Sequence, residues 1–76
     1  MKFELYVYGN HVATCNHWTD VYDVTMEKVY SNFQPSQVSD YEHMNCANAE
    51  SWAELIACND GDEYEVDDFR LVAVER

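Results

Sequence analysis

The sequence predicts an α+β domain: a small antiparallel sheet of three or four strands, with two or three helices packed on one of its faces. Three observations carry this reading. Both ends of the chain alternate apolar and polar residues with period 2, and the segments between repeat apolar residues at helical spacing. The length of 76 residues leaves room for one domain only, spanning 1–76. The expected order is β-β-α-α-α-β, with a further strand over 63–67 as an option.

Phe3, Leu5 and Val7 alternate with Lys2, Glu4, Tyr6 and Tyr8, the pattern of a half-buried strand. Gly9-Asn10 supplies turn residues, and His11 to Cys15 returns as the second strand, Val12 and Thr14 alternating with His11, Ala13 and Cys15. Thr19 or Asp20 caps the first helix through a side-chain oxygen. Its apolar stripe is Tyr22, Met26, Val29, Tyr30 and Phe33, with Asp20, Asp23 and Glu27 towards the other side. Reading Val21 to Thr25 as a strand accounts for fewer positions. Gln34-Pro35-Ser36-Gln37 stops the helix, because proline lacks an N–H donor and disfavours helical backbone at the residue before it.

Ser39-Asp40-Tyr41-Glu42 has capping-box spacing and opens a short helix near 40–46. Asn48 caps the next, whose buried stripe is Ala49, Trp52, Ala53, Leu55 and Ile56, and Asn59-Asp60-Gly61-Asp62 ends it with turn chemistry. Finally Phe69, Leu71 and Ala73 alternate with Arg70, Val72 and Val74. Both sets are largely apolar, which puts this last strand in the interior of the sheet.

Fifteen acids against four Lys and Arg give a formal net charge of −11 at pH 7. Four scattered bases cannot form the positive footprint of a nucleic-acid binder, nor draw the chain to an anionic membrane. Disorder is excluded as well, since 47% of the residues are hydrophobic and 14% aromatic, with only 2 Gly and 1 Pro. Residues 1–8 hold a base and an acid and lead into no apolar stretch, so no secretory signal is expected, and no apolar run is long enough to span a bilayer. Cys15, Cys46 and Cys58 cannot all pair within one chain. Reduced thiols in a cytoplasm are the expectation.

The histidines, cysteines and acids bear on several chemistries. His11, Cys15, His17, His43, Cys46 and Cys58 are competent zinc ligands, and His43-x-x-Cys46 has ligand spacing, but there is no Cys-x-x-Cys pair. The plainer reading makes the cysteines small buried hydrophobes and leaves the histidines on the surface. No metal and no cofactor are therefore expected. A small zinc-binding structural domain, with His43, Cys46, Cys15 and His17 as its candidate ligands, is kept as an alternative.

No local signature marks a nucleophile, carboxylate pairs arise by chance among 15 acids, and a chain this short rarely builds a water-excluding pocket. No enzyme is expected. Asp60, Asp62, Glu63, Glu65, Asp67 and Asp68 are oxygen-rich, yet a calcium loop begun at Asp60 has glycine at its second position, none at its sixth, and no closing glutamate.

The acids themselves form groups. Six of the nine residues from Asp60 to Asp68 are acidic, and on an extended chain Glu63, Glu65 and Asp67 share a face about 6.6 Å apart. Asp20, Asp23 and Glu27 recur along the first helix, and Asp40, Glu42, Glu50 and Glu54 form a third group with Glu50 and Glu54 one turn apart. Duplex DNA carries one charge per roughly 1.7 Å of axis on a rigid body. A folded scaffold with carboxylates in rows is suited to the same basic grooves, with exposed tyrosines such as Tyr8, Tyr41 and Tyr64 as rigid anchors. Charge runs also serve plain solubility, but that asks for a net charge of only about 2–8 in a small domain.

In size, charge, single compact α+β domain and lack of a catalytic motif, the whole chain resembles the small acidic proteins that bacteriophages encode against host defences. These are the anti-CRISPR and anti-restriction DNA mimics. The likeness is one of overall character, and no family motif is present on which to carry residues over. It implies an inhibitor acting in the cytoplasm of a bacterial host, as a monomer or small homo-oligomer, on the basic DNA-binding surface of a host protein complex. The leading expectation is an anti-CRISPR that blocks recognition of the motif flanking the target by a Cascade-type effector. The runner-up is a restriction enzyme or another host DNA-binding protein.

Overall fold

A computed structural model describes residues 1–31 and 38–75. Strands β1 (Lys2–Val7) and β2 (Asn10–Cys15) form the first hairpin, followed by a 3-10 turn over Trp18–Asp20 and helix α1 (Val21–Tyr30). Helix α2 (Asp40–Leu55) leads into the second hairpin, β3 (Glu63–Val66) and β4 (Phe69–Val74). The sheet order is β2-β1-β4-β3 with every pair antiparallel. The fold is thus the expected α+β class, with both helices on one face of a four-stranded sheet and β4 in its interior.

Alternation decides which face is covered. Phe3 and Leu5 of β1, Cys15 of β2, and Phe69, Leu71 and Ala73 of β4 are buried against Val21 of α1 and Ala49, Trp52 and Ala53 of α2. Trp52 is the keystone: its ring meets Phe3 edge-on at 5.9 Å between centroids and lies against Tyr64 at 5.8 Å. The opposite face carries Glu4, Tyr6, Arg70, Val72, Glu63 and Glu65, in register across β1, β4 and β3. Among the described residues, no helix covers that face.

The structure moves several boundaries. The first hairpin turns at Tyr8-Gly9, one residue before the expected Gly9-Asn10, and Asn10 begins β2. Tyr8 at φ 50° and Gly9 at φ 81° make a type I′ turn, whose twist matches that of the flanking strands. Asp20 occupies the N-cap position of α1 without a side-chain cap bond; His17 instead caps the 3-10 turn, its Nδ1 accepting from the Thr19 N–H at 3.3 Å. The buried face of α1 centres on Val21, Thr25 and Met26, so Tyr22, Val29 and Tyr30 lie at its flanks. This helix ends at Ser31, a left-handed residue whose N–H returns to the Met26 carbonyl. Phe33 and the expected stop at 34–37 lie outside the described residues.

The two expected helices over 40–46 and beyond Asn48 are one, opened by Ser39, whose Oγ accepts from the Glu42 N–H at 3.2 Å. Asn45, Cys46, Ala49, Trp52 and Ala53 form one buried stripe across the expected break. An exposed asparagine costs a helix interior at most about 0.7 kcal/mol, less than that continuous burial returns. Leu55 and Ile56, expected in the core, are 77% and 64% exposed. Leu55 is the last residue of the helix and Ile56 its C-cap, both past Ala53, the last buried residue of the stripe. Strand β3 stops at Val66, which leaves Asp67 and Asp68 as a two-residue turn, and Asp67 therefore does not continue the strand face of Glu63 and Glu65.

Among the described residues, Thr25 Oγ1 is the buried side-chain polar atom with no hydrogen-bond partner. A buried hydroxyl without a partner carries its full desolvation cost, so the isosteric Thr25→Val should stabilise the fold by about 1 kcal/mol. The check is the urea midpoint, which should rise with an unchanged slope.

Candidate protein-binding surface

The carboxylates divide by the work they do in the fold. Asp62 Oδ2 accepts from the backbone N–H groups of Cys58 and Asn59, at 3.2 and 3.0 Å, and Asp60 Oδ1 accepts from the Glu75 N–H at 3.1 Å. The Asp62 carboxylate braces the loop after α2 from within and that of Asp60 ties it to the end of β4, while Gly61, at φ 95°, donates to the Ala73 carbonyl and the Asp62 carbonyl accepts from the Ala73 N–H. The oxygen-rich stretch is in this part an internal brace. Asp68 Oδ2 accepts from the Tyr30 hydroxyl at 2.9 Å, and Asn45 Nδ2 donates to the same hydroxyl at 3.0 Å. This chain of bonds fastens the β3–β4 turn to both helices.

Burial, reinforced by the negative charge of Asp68, pushes the Tyr30 hydroxyl well above its usual range. The influence of Asp68 raises the Tyr41 hydroxyl too. Glu63 pairs with Arg70 at 2.5 Å, and Glu4 with His11 and with the Thr14 hydroxyl.

What remains is distributed over two regions. On the helical layer, desolvation first, and then repulsion from Cys46, Asp23 of α1 and Glu50 of α2, raises the Tyr22 hydroxyl. The Tyr22 hydroxyl shares a 2.7 Å hydrogen bond with His43 Nδ1 across the helix pair. Asp20, Glu27, Asp40 and Glu54 are exposed on the same layer, Glu27 within 3.7 Å of Lys28. An exposed pair of that length contributes little. At the sheet end, Glu65 and Asp67 are exposed beside the hairpin turns. The strand acids Glu63 and Glu65 point to the face opposite the helices, so the three sequence groups do not merge into one row.

Of the expected tyrosine anchors, Tyr8 is 85% exposed and Tyr41 is 50% exposed. Tyr64 is not an anchor: it lies half-buried between Trp52 and Phe69. Sequence reading missed the Tyr22–His43 bridge and the Arg70–Glu63–Tyr6 cluster, since both join residues distant in sequence. Only the placement of Arg70 in an apolar strand hinted at the second.

Among the described residues no three His, Cys, Asp or Glu side chains are grouped to hold a metal ion. Cys15 and Cys46 are buried, His17 is used as a cap, and His43 binds Tyr22. Burial, with the charges of Asp20 and Glu4, pushes the Cys15 thiol up to about 11, and burial with Glu42 pushes Cys46 up to about 12. Neither offers a thiolate near neutrality. Among the described residues, no helix is long and apolar enough to cross a membrane.

No protein-family model matches the chain, and neither the curated proteins nor the solved structures yield a match.

Two outcomes test this account of the scaffold. Tyr30→Phe deprives Asp68 and the buried Asn45 of their shared partner and should lower stability by about 1–2 kcal/mol, measured by urea unfolding. The thiols give a pH dependence. Their folded values lie above the unfolded value of 9.0, so their stabilisation is complete below pH 9 and is lost as pH rises through about 11 for Cys15 and about 12 for Cys46. The unfolding midpoint should fall across that alkaline window, less steeply in Cys15→Ala. In the native state only the exposed Cys58 should react rapidly with a thiol reagent.

Proposed function

We propose that this protein is an inhibitor that presents carboxylates in place of DNA phosphates and occupies the basic DNA-binding groove of a host defence complex. The observation that carries the reading is the charge on so small and rigid a body. The fold measures 35 × 24 × 19 Å and holds a net charge of −11. A duplex 35 Å long carries about 20 phosphate charges at one per roughly 1.7 Å, so the protein reaches about half that density on a fixed scaffold. Ion pairing offsets little of it, because the described residues form three ion pairs, two of them on the open sheet face.

The first target in this reading is a Cascade-type CRISPR effector, blocked where it recognises the motif flanking its target. A restriction enzyme or another host DNA-binding protein would be engaged by the same chemistry. The inhibitor acts mole for mole, in the cytoplasm of a bacterial host, without metal, cofactor or turnover. Its long-range field steers it to the groove, so association is fast at low salt and slows as ions screen it.

The acids to neutralise are those free of structural duties: Asp20, Asp23, Glu27, Glu50 and Glu54. Asp62 and Asp68 brace the fold and would confuse the result. Tagged protein should capture a DNA-binding complex at low ionic strength, release it as salt rises, and be displaced by that complex's own DNA. The five-fold amide variant, folded by circular dichroism, should associate at least about tenfold more slowly. Capture that ignores salt, competing DNA and the amide substitutions would sink the reading.

A further inference from the structure

The two hairpin turns lie side by side, because β1 ends next to the start of β4, with Tyr6 opposite Arg70. Between them is a groove of about 330 Å³ lined by Tyr6, Tyr8, Glu65, Asp67 and Arg70 among others. Its floor already displays one way of holding a guanidinium. The Arg70 head lies over the Tyr6 ring, 4.8 Å from the centroid, and pairs with Glu63 at 2.5 Å. The rim repeats the same components without a cation. Tyr8 is 85% exposed, and among the described residues its ring stacks on no other aromatic and no base is paired with Glu65 or Asp67.

Tyr8 is also held at φ 50°, a left-handed conformation that a bulky side chain adopts at a cost and that asparagine would adopt more easily. The ring is thereby projected at the tip, where it touches little of its own fold. With Arg70 balanced by Glu63, the groove retains the charges of Glu65, Asp67 and Asp68.

We propose that this groove receives an arginine side chain of a protein partner, its guanidinium against the ring of Tyr8 and between the carboxylates of Glu65 and Asp67. The inference rests on the inhibitor reading only in taking that partner to be basic. Arginine is favoured over lysine because a planar guanidinium stacks on an aromatic ring and meets two carboxylates at once. Aromatic anchors at the centre of an interface carry a large share of its binding, and the acids on the helical layer then steer the approach.

The test is an amide NMR titration with Nα-acetyl-arginine amide, compared with the lysine and citrulline amides. Saturable shifts confined to residues 6–9 and 65–70 are expected, in the millimolar range, weaker for lysine and absent for citrulline. Tyr8→Asn, which suits the turn, and Glu65→Gln, which keeps the shape, should each raise the dissociation constant about threefold. Shifts spread equally over the acids of α1 and α2, equal response to lysine, or indifference to Tyr8→Asn would overturn the proposal. The captured complex separates the two readings. If the protein carrying both Tyr8→Asn and Glu65→Gln captures it as well as the original does, the groove is not the contact and the inhibitor reading stands. If arginine binds the groove while no salt-sensitive partner is captured, the groove stands and the inhibitor reading falls.

Discussion

Phe3 faces Ala73 and Leu5 faces Leu71 because the first strand pairs with the last, and that pairing of β1 with β4 sets nearly everything else. Each hairpin alone is a two-stranded ribbon, marginal in water. Joined through their inner strands they make one sheet with a continuous apolar face, wide enough for two helices to cover. The same register brings the two turns to one end and sets Tyr6 beside Arg70. A slip of one residue would turn Phe3 and Leu5 to solvent and separate those turns.

The price of the charge is met by a division of labour among the acids. Carboxylates that accept backbone or tyrosine hydrogens, such as Asp62 and Asp68, gain partners that offset the repulsion around them. Others are placed on exposed positions of α1 and α2, where water screens them. Treating all 15 acids as one functional set therefore overstates the surface. The acids available to a partner are those whose removal would leave the fold's hydrogen bonds intact.

Much of the fold was legible because the signals were local. Alternation marked β1 and β4, the Ser39 cap marked the start of α2, and the apolar character of both faces of β4 placed it inside the sheet. The errors share a physical cause. Asn48 has the chemistry of a cap, but a buried stripe running through Cys46, Ala49 and Trp52 outweighs a weak local preference. Gly9-Asn10 reads as a turn, yet strand register places the turn at Tyr8-Gly9, where tertiary pairing holds a tyrosine in an unfavourable conformation. The acidic surface was visible as composition, and its division into braces and free carboxylates was not.

The sequence by itself determined the class of fold and the excess of negative charge, since these follow from periodicity and composition. The tertiary structure alone decided which carboxylates are free, that Tyr22 of α1 meets His43 of α2, and that Tyr8, Glu65 and Asp67 border one groove. Those outcomes depend on which strand pairs with which and on how two helices cross, and neither is encoded at any one position. A charge can be counted along a chain, but its neighbours exist only once β1 has met β4 and the helices have closed over them.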